Sequence, residues 1–184
     1  TERVCASTCS DDVCFWLYSS GSTGSPKGTV HLHSHIIQTA ELYGLGILGI
    51  RESDVVYSAA KLFFAYGLGN ALSFPMAVGA TTVLLPARPT PQDVFRILQN
   101  YKPTIFYGVP TLYAGLLADP NRPKQSQLNL RMCTSAGEAL PAELGQRFKA
   151  YAGVDIVDGI GSTEMLHIFL SNKPEDVRYG TTGW

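Results

Sequence analysis

Charge is scarce in this chain. Only 16% of its 184 residues are Asp, Glu, Lys or Arg, and the formal net charge is −1. That excludes the basic field that drives nucleic-acid binding, and equally an acidic solvating tail. Hydrophobic residues make up 45%, the composition of a globular domain; with so little charge, part of the surface is expected to be covered by further protein. No apolar run reaches the ~18 residues needed to span a membrane. No secretory-signal pattern precedes the first apolar run, so a cytoplasmic location is expected. There are four cysteines, Cys5, Cys9, Cys14 and Cys133. The first three match no common zinc spacing and read as free thiols of a reducing compartment. The length fits one domain with a sizeable core. A start at Thr1 only a few residues before a strand, and an end at Trp184 inside a Gly/Thr stretch, read as cuts through a larger protein. Residues 1–184 are therefore expected to be a partial domain, truncated at both ends.

The most informative stretch is Tyr18-Ser19-Ser20-Gly21-Ser22-Thr23-Gly24-Ser25-Pro26-Lys27-Gly28. It follows an apolar run of strand length at 13–18. Its glycines let the backbone turn sharply and approach a ligand closely. Backbone N–H groups and hydroxyls can donate to phosphate oxygens, and Lys27 adds a point charge behind Pro26, which fixes φ. A flexible Gly/Ser linker is the alternative, but a linker needs no lysine behind a proline. A Walker-type loop is excluded, because it requires Gly before and Ser or Thr after the lysine, where Pro26 and Gly28 stand.

Along the rest of the chain, apolar runs and helix signals alternate. Strands are expected at 29–33, 54–59, 80–85, 104–107, 132–135 and 155–160. Helices are expected from a Ser34 cap through Ile36, Ile37, Ala40, Leu45 and Leu48, over the apolar 63–78 stretch with a kink at Pro75, and from Thr90-Pro91 onward. Two more should open at Pro110 and Pro141. The polar 119–129 segment reads as a surface loop. About five strand–helix alternations predict an α/β fold, a largely parallel sheet covered by helices, with ligands at the carboxyl ends of its strands.

Residues 19–28 resemble the phosphate-binding loop of the adenylate-forming enzymes: acyl-CoA synthetases, luciferases and the adenylation domains of peptide synthetases. Two further motifs narrow the resemblance to aryl-CoA ligases of the benzoate–CoA ligase type, and it spans essentially the whole chain. The expected fold is then part of the large N-terminal domain of such an enzyme. Ser135-Ala136-Gly137-Glu138 follows a strand and on its own is equally an ordinary turn; the resemblance makes Ala136, Gly137 and Glu138 a wall of the adenine pocket. Asp158-Gly159-Ile160-Gly161-Ser162-Thr163-Glu164 follows another strand, and a Thr-Glu pair after glycine is also a common helix start. The resemblance puts Asp158 and Gly159 at the adenine edge, Thr163 at the α-phosphate and Glu164 at Mg²⁺, for which a carboxylate is a hard oxygen ligand. Ser19, Ser20, Gly21, Ser22, Thr23, Gly24 and Lys27 would hold the phosphates of ATP, and Lys27, Thr163 and Glu164 are the expected catalytic groups.

By periodicity the aromatic stretch 61–70 is a buried helix. The resemblance to benzoate–CoA ligases continues through it and through 165–169, which implies that Ala65, Tyr66, Phe74, Gly161, His167 and Ile168 surround an aryl ring. His31, His33 and His35 alternate and are expected on one side of a strand, without a further ligand that would make them a metal site. The implied activity is ATP-dependent: benzoate or a close relative becomes an acyl adenylate, then a thioester of coenzyme A. Loading of an aryl acid onto a carrier protein, or nucleotide binding without turnover by this segment alone, are the alternatives. The resemblance also allows a homodimer of the full-length enzyme. Its remaining functional residues, a ribose-binding aspartate and a C-terminal lysine, would lie beyond Trp184, so the chain alone is expected to be inactive.

Overall fold

A computed structural model describes residues 5–19 and 24–183. The chain opens with an antiparallel hairpin, β1 (Val13–Ser19) and β2 (Lys27–Leu32), whose register sets Ser19 opposite Lys27. This hairpin is a sheet of its own and not part of the main one. Helix α1 (His33–Thr39) follows and widens into a π-helical turn, Ala40–Leu45. Leu32, not Ser34, occupies the N-cap position, because the strand runs straight into the helix.

The main sheet has six strands. Five are parallel: β3 (Val55–Ser58), β4 (Thr81–Val83), β5 (Ile105–Gly108), β6 (Met132–Ser135) and β7 (Ile156–Gly161). The sixth, β8 (Ile168–Ser171), returns antiparallel to β7. The spatial order is β4-β3-β5-β6-β7-β8. Helices α4 (Pro91–Asn100), α5 (Pro110–Ala118) and α6 (Ala142–Ala152) make the crossovers among the later parallel strands. Between β3 and β4 run α2 (Ala65–Leu68), a π-helical segment Gly69–Ser73 and α3 (Phe74–Val78).

Successive side chains of a strand point to opposite faces, and here both faces are covered. Tyr57, Phe106, Cys133 and Ile156 lie in register and meet α4, α5 and α6 through Val94, Leu98, Tyr113, Leu116 and Phe148. Val56, Ile105, Tyr107, Met132 and Val157 face the other way, toward Ala40, Tyr43 and Phe74. This two-sided burial is why the strands read as continuous apolar runs. The expected strand at 132–135 has the observed bounds, and α4 starts as its sequence implies: the Thr90 hydroxyl accepts from the Asp93 N–H at 3.2 Å, with Pro91 in the first turn.

The 63–78 stretch differs from its expected form. It is not one helix buried all round; the widened turn at Gly69–Ser73 rotates its faces and leaves Leu72 and Met76 exposed. The histidine expectation is corrected too. The strand ends at Leu32, so only His31 is on it, while His33 and His35 lie in α1.

At the amino ends of the strands a buried carboxylate ties the sheet together. Asp54 accepts from Arg131 Nε at 2.8 Å, Arg131 Nη2 at 2.6 Å, Thr104 Oγ1 at 2.7 Å and the Arg51 N–H at 2.9 Å. Burial alone would push this carboxyl up, but the Arg131, Thr104 and Arg51 donors hold it below the usual carboxylate range. These partners precede β3, β5 and β6, so one side chain sets the level of three strands. Asp54→Ala is expected to remove about 2–3 kcal/mol, because it strands a half-buried guanidinium. The urea midpoint of unfolding reads this directly, and an unshifted midpoint would deny the clamp its role.

Candidate active site

Parallel pairing brings the carboxyl ends of the strands into one row: Gly108, Ser135 and Asp158 are register partners, with Ser58 beside Tyr107 one step back. Side chains from the segments beyond this row enclose three adjoining clefts. The first, about 220 Å³, lies between α2 and the β7–β8 turn. Ala65, Tyr66, Gly161, His167 and Ile168 line it, with Phe64, Ala136, Gly137, Ser162 and Thr163. The second, also about 220 Å³, is bounded by Gly137, Glu138, Ala139 and 159–161. Gly137 and Gly161 are common to both, so the two chambers share a wall. The third, about 830 Å³, opens between Phe63, Phe64, Pro86, Arg88 and Val109 and meets the others at Gly137 and Glu138.

The first cleft is built around His167. Its ring meets Phe74 edge-on at 4.5 Å between centroids and lies 5.1 Å from Tyr43 and 5.6 Å from Tyr66. Nε2 donates to the Tyr66 carbonyl at 3.3 Å, and Nδ1 has no partner among the described residues. A methyl group on Gly69 would collide with this ring and with Phe74, so glycine there is what lets the imidazole seat itself. Tyr66 is fixed in turn by a 2.6 Å bond between its hydroxyl and Thr134 Oγ1. Burial pushes His167 down to about 3, the Tyr66 carbonyl only partly opposing it, so the ring is neutral at physiological pH.

Not every expected residue is brought to the surface of a cleft. Phe74 is fully buried and forms the layer behind His167. Asp158 is also buried, below the second chamber, which Gly159 lines instead. Burial pushes its carboxyl up to about 6; the Ser135 hydroxyl and the Leu140 and Gly159 amides oppose this, yet Oδ1 meets none of them at full hydrogen-bond geometry. Glu138 is exposed and accepts from Thr111 Oγ1 at 3.4 Å.

Thr163 lines the first cleft, and Glu164 beside it is exposed. Their turn is taut: buried Leu166 has φ 63°, a left-handed conformation uncommon for a branched side chain, and its N–H donates to the Thr163 carbonyl at 3.2 Å. Ser19, Gly24 and Lys27 flank the glycine loop on the hairpin; Ser20, Gly21, Ser22 and Thr23 lie outside the described residues. Phe64, within the aromatic stretch 61–70, and Ser162, within 158–164, have no expected role, and both line the first cleft. Gly69 carries no signal that sequence reading could weigh, and the alternation of His31 with His33 and His35 does not reveal its contact with Thr163, since what each touches lies across the fold.

Glycine-walled chambers beyond a largely parallel sheet thus adjoin a small apolar cleft. The AMP-binding enzyme family matches residues 2–184, and the chain belongs to that family. It is 70% identical over 178 residues to the benzoate–CoA ligase of Thauera aromatica, covering 97% of this chain and 34% of that protein. It is 56% identical to the 4-hydroxybenzoate–CoA/benzoate–CoA ligase of Rhodopseudomonas palustris over 97% of this chain and 33% of that one. Among solved structures, a benzoate CoA ligase from Burkholderia xenovorans LB400 superposes with a TM-score of 0.93 at 61% identity, over 97% of this chain and 35% of that one. The chain thus spans about one third of the length of these relatives.

The buried imidazole generates a pH dependence. The unfolded chain takes up a proton at this position as pH falls below 6.5, while the folded one does not until about 3. Stability held above pH 6.5 is therefore lost on acidification, at up to about 1.4 kcal/mol per pH unit. Asp158 acts in the opposite sense, losing stability as pH rises from 3.8 to about 6. Comparing His167→Leu with the wild type isolates the histidine: the variant should lose less Tm between pH 7.5 and pH 5. Parallel Tm profiles would mean that His167 titrates alike in the folded and unfolded states.

Proposed function

We propose that this chain is the central part of an ATP-dependent aryl-CoA ligase that activates benzoate or a close relative. The observation that carries this reading is the apolar 220 Å³ cleft sharing its Gly137 and Gly161 wall with a second chamber. An apolar cavity of about 150 Å³ holds benzene, so the first cleft suits one aromatic ring. Its aromatic walls offer edge and face contacts that add to area burial. The second chamber suits the adenine of ATP. The identities to benzoate–CoA ligases support the same assignment. Exposed apolar side chains on the hairpin and along α1 and α3, among them Trp16, Tyr18, Ile37 and Met76, support a larger enzyme around this segment.

In the first step a carboxylate oxygen of benzoate attacks the α-phosphorus of ATP. The bond to the β-phosphate bridge breaks, leaving benzoyl-AMP and pyrophosphate. The carboxylate is already a nucleophile, so no general base is required. In the second step the thiol sulfur of coenzyme A bonds to the acyl carbon, AMP departs and the thiol proton passes to solvent. The protein's part is positioning and charge neutralisation. Neutral His167 with Tyr66 and Ile168 holds the ring and excludes water, and with no fixed cation inside the cleft the carboxylate stays at its mouth, toward Thr163. Ser19, Gly24 and Lys27, with Ser20, Gly21, Ser22 and Thr23 between Ser19 and Gly24 in sequence, hold the β- and γ-phosphates. Among the described residues no three His, Cys, Asp or Glu side chains converge. A single exposed carboxylate, Glu164, fits Mg²⁺, which keeps waters and substrate phosphates as its other ligands and neutralises phosphate charge when bound.

Two measurements on a full-length ligase carrying this sequence test the proposal. Benzoate, 4-hydroxybenzoate, 2-aminobenzoate and octanoate should rank with benzoate highest in kcat/KM and octanoate lowest. The benzoates should be graded, since small changes in an apolar pocket discriminate by only ~1–3 kcal/mol. Octanoate ranking first would remove the aryl pocket. Lys27→Ala should slow benzoate-dependent ATP–pyrophosphate exchange by roughly 10²-fold, the scale of one positioned charge donor. An unchanged exchange rate would take the glycine loop out of the reaction.

A further inference from the structure

The hairpin that carries the glycine loop is not part of the six-stranded sheet, yet the turn holding Thr163 and Glu164 extends from that sheet. ATP bound as proposed must touch both, so their relative position has to be set by something. One buried side chain bridges them. His31, on β2 and without solvent exposure, places Nε2 at 2.9 Å from the Thr163 carbonyl, across 132 positions of sequence. A carbonyl only accepts, so Nε2 carries the proton and donates. The ring is packed on both sides: Phe15 of β1 lies against it at 5.3 Å between centroids, and His35 of α1 meets it edge-on at 5.5 Å. His35 is held in its turn by the Leu32 N–H at 3.3 Å. The imidazole therefore sits at a junction of β1, β2, α1 and the β7–β8 turn, and its hydrogen bond reaches the backbone of the residue beside the expected metal carboxylate.

We propose that His31 is a positioning residue for adenylation, fixing the glycine-loop hairpin against the Thr163–Glu164 turn. The inference rests on the proposed function for its chemistry and on the Nε2–carbonyl bond for its geometry. It has a distinctive consequence. The joint matters while a triphosphate spans both segments, and ceases to matter once pyrophosphate has left the glycine loop. The two half-reactions should therefore respond differently, which a general loss of folding would not produce.

The test uses a full-length ligase carrying this sequence, with His31→Leu and His31→Gln. Leucine fills the space without a donor. Glutamine carries an N–H the same number of bonds from Cβ as Nε2. In His31→Leu, benzoate-dependent ATP–pyrophosphate exchange should fall, or KM for Mg-ATP should rise, by about tenfold, within the range that small misplacements reach. Conversion of synthetic benzoyl-AMP and coenzyme A to the thioester should stay within about twofold, as should KM for benzoate. His31→Gln should recover most of the loss. Equal losses in both half-reactions, no rescue by glutamine, or a leucine variant matching wild type would each overturn the proposal. Hydrogen exchange separates this from failure of the functional reading. The Leu166 amide, bonded to the same Thr163 carbonyl, should exchange faster in His31→Leu, and an unchanged rate rejects the joint. Absence of benzoate-dependent exchange in the wild type would instead reject the aryl-ligase reading and leave the amide result to decide the joint.

Discussion

Burial of the parallel strands on both faces is the constraint from which the site follows. A strand covered by Tyr113 and Phe148 on one side and by Tyr43 and Phe74 on the other has no polar surface except at its ends. The amino ends are closed by Asp54 and its donors. At the carboxyl ends the chain must leave the sheet, and there Gly108, Ser135 and Asp158 stand level with one another. The segments beyond them converge because the strands beneath them are in register. In the order β4-β3-β5-β6-β7, the chain reverses direction between β3 and β5, and such a reversal leaves a crevice at the carboxyl edge. The 830 Å³ cleft between the segments after β3, β4 and β5 is that crevice.

How far the sequence revealed this depended on whether a feature was local. Helix α4 declares itself through Thr90, Pro91 and Asp93, whose capping contacts lie within one turn. Strand β6 does so through four consecutive buried residues. The glycine-bearing strand exits and the Tyr66–His167 pocket were legible only by resemblance, since local periodicity reads the same residues as core. The features that escaped depend on the fold itself. A π-helical widening at Gly69–Ser73 leaves composition unchanged while rotating every following side chain. The strand at Ile168–Ser171 is short and half-exposed, and it exists because β7 offers it an edge. The alternating histidines looked like a strand face because nothing between Leu32 and His33 signals the end of β2. Asp158, expected at the adenine edge, lies buried beside Ser135 in the register, a depth that sequence alone does not reveal.

The distribution of charge ties these points to chemistry. Three of the groups that line or back the first cleft are neutral at physiological pH: burial keeps His167 uncharged, and it raises Tyr66 and Tyr43 far above their usual range. Glu138 and Arg88 line the wider clefts and are exposed, and Lys27 and Glu164 are exposed as well. This separation follows from the expense of burying an unpaired charge. On the proposed reading it also matches the two substrates. The ring of benzoate gains by leaving water, whereas phosphates and metal must keep part of their hydration while they are held. A carboxylate drawn fully into the cleft would meet only neutral groups and be penalised, so the ring can enter completely only if the carboxylate remains at the opening. Gly137, Gly161 and Thr163 line the cleft, and the two glycines also line the second chamber, which on the proposed reading holds the nucleotide. The burial preference of the ring alone thus aims the nucleophile at the nucleotide, and the remaining geometric requirement is that the hairpin and the Thr163 turn hold the phosphates in line with it.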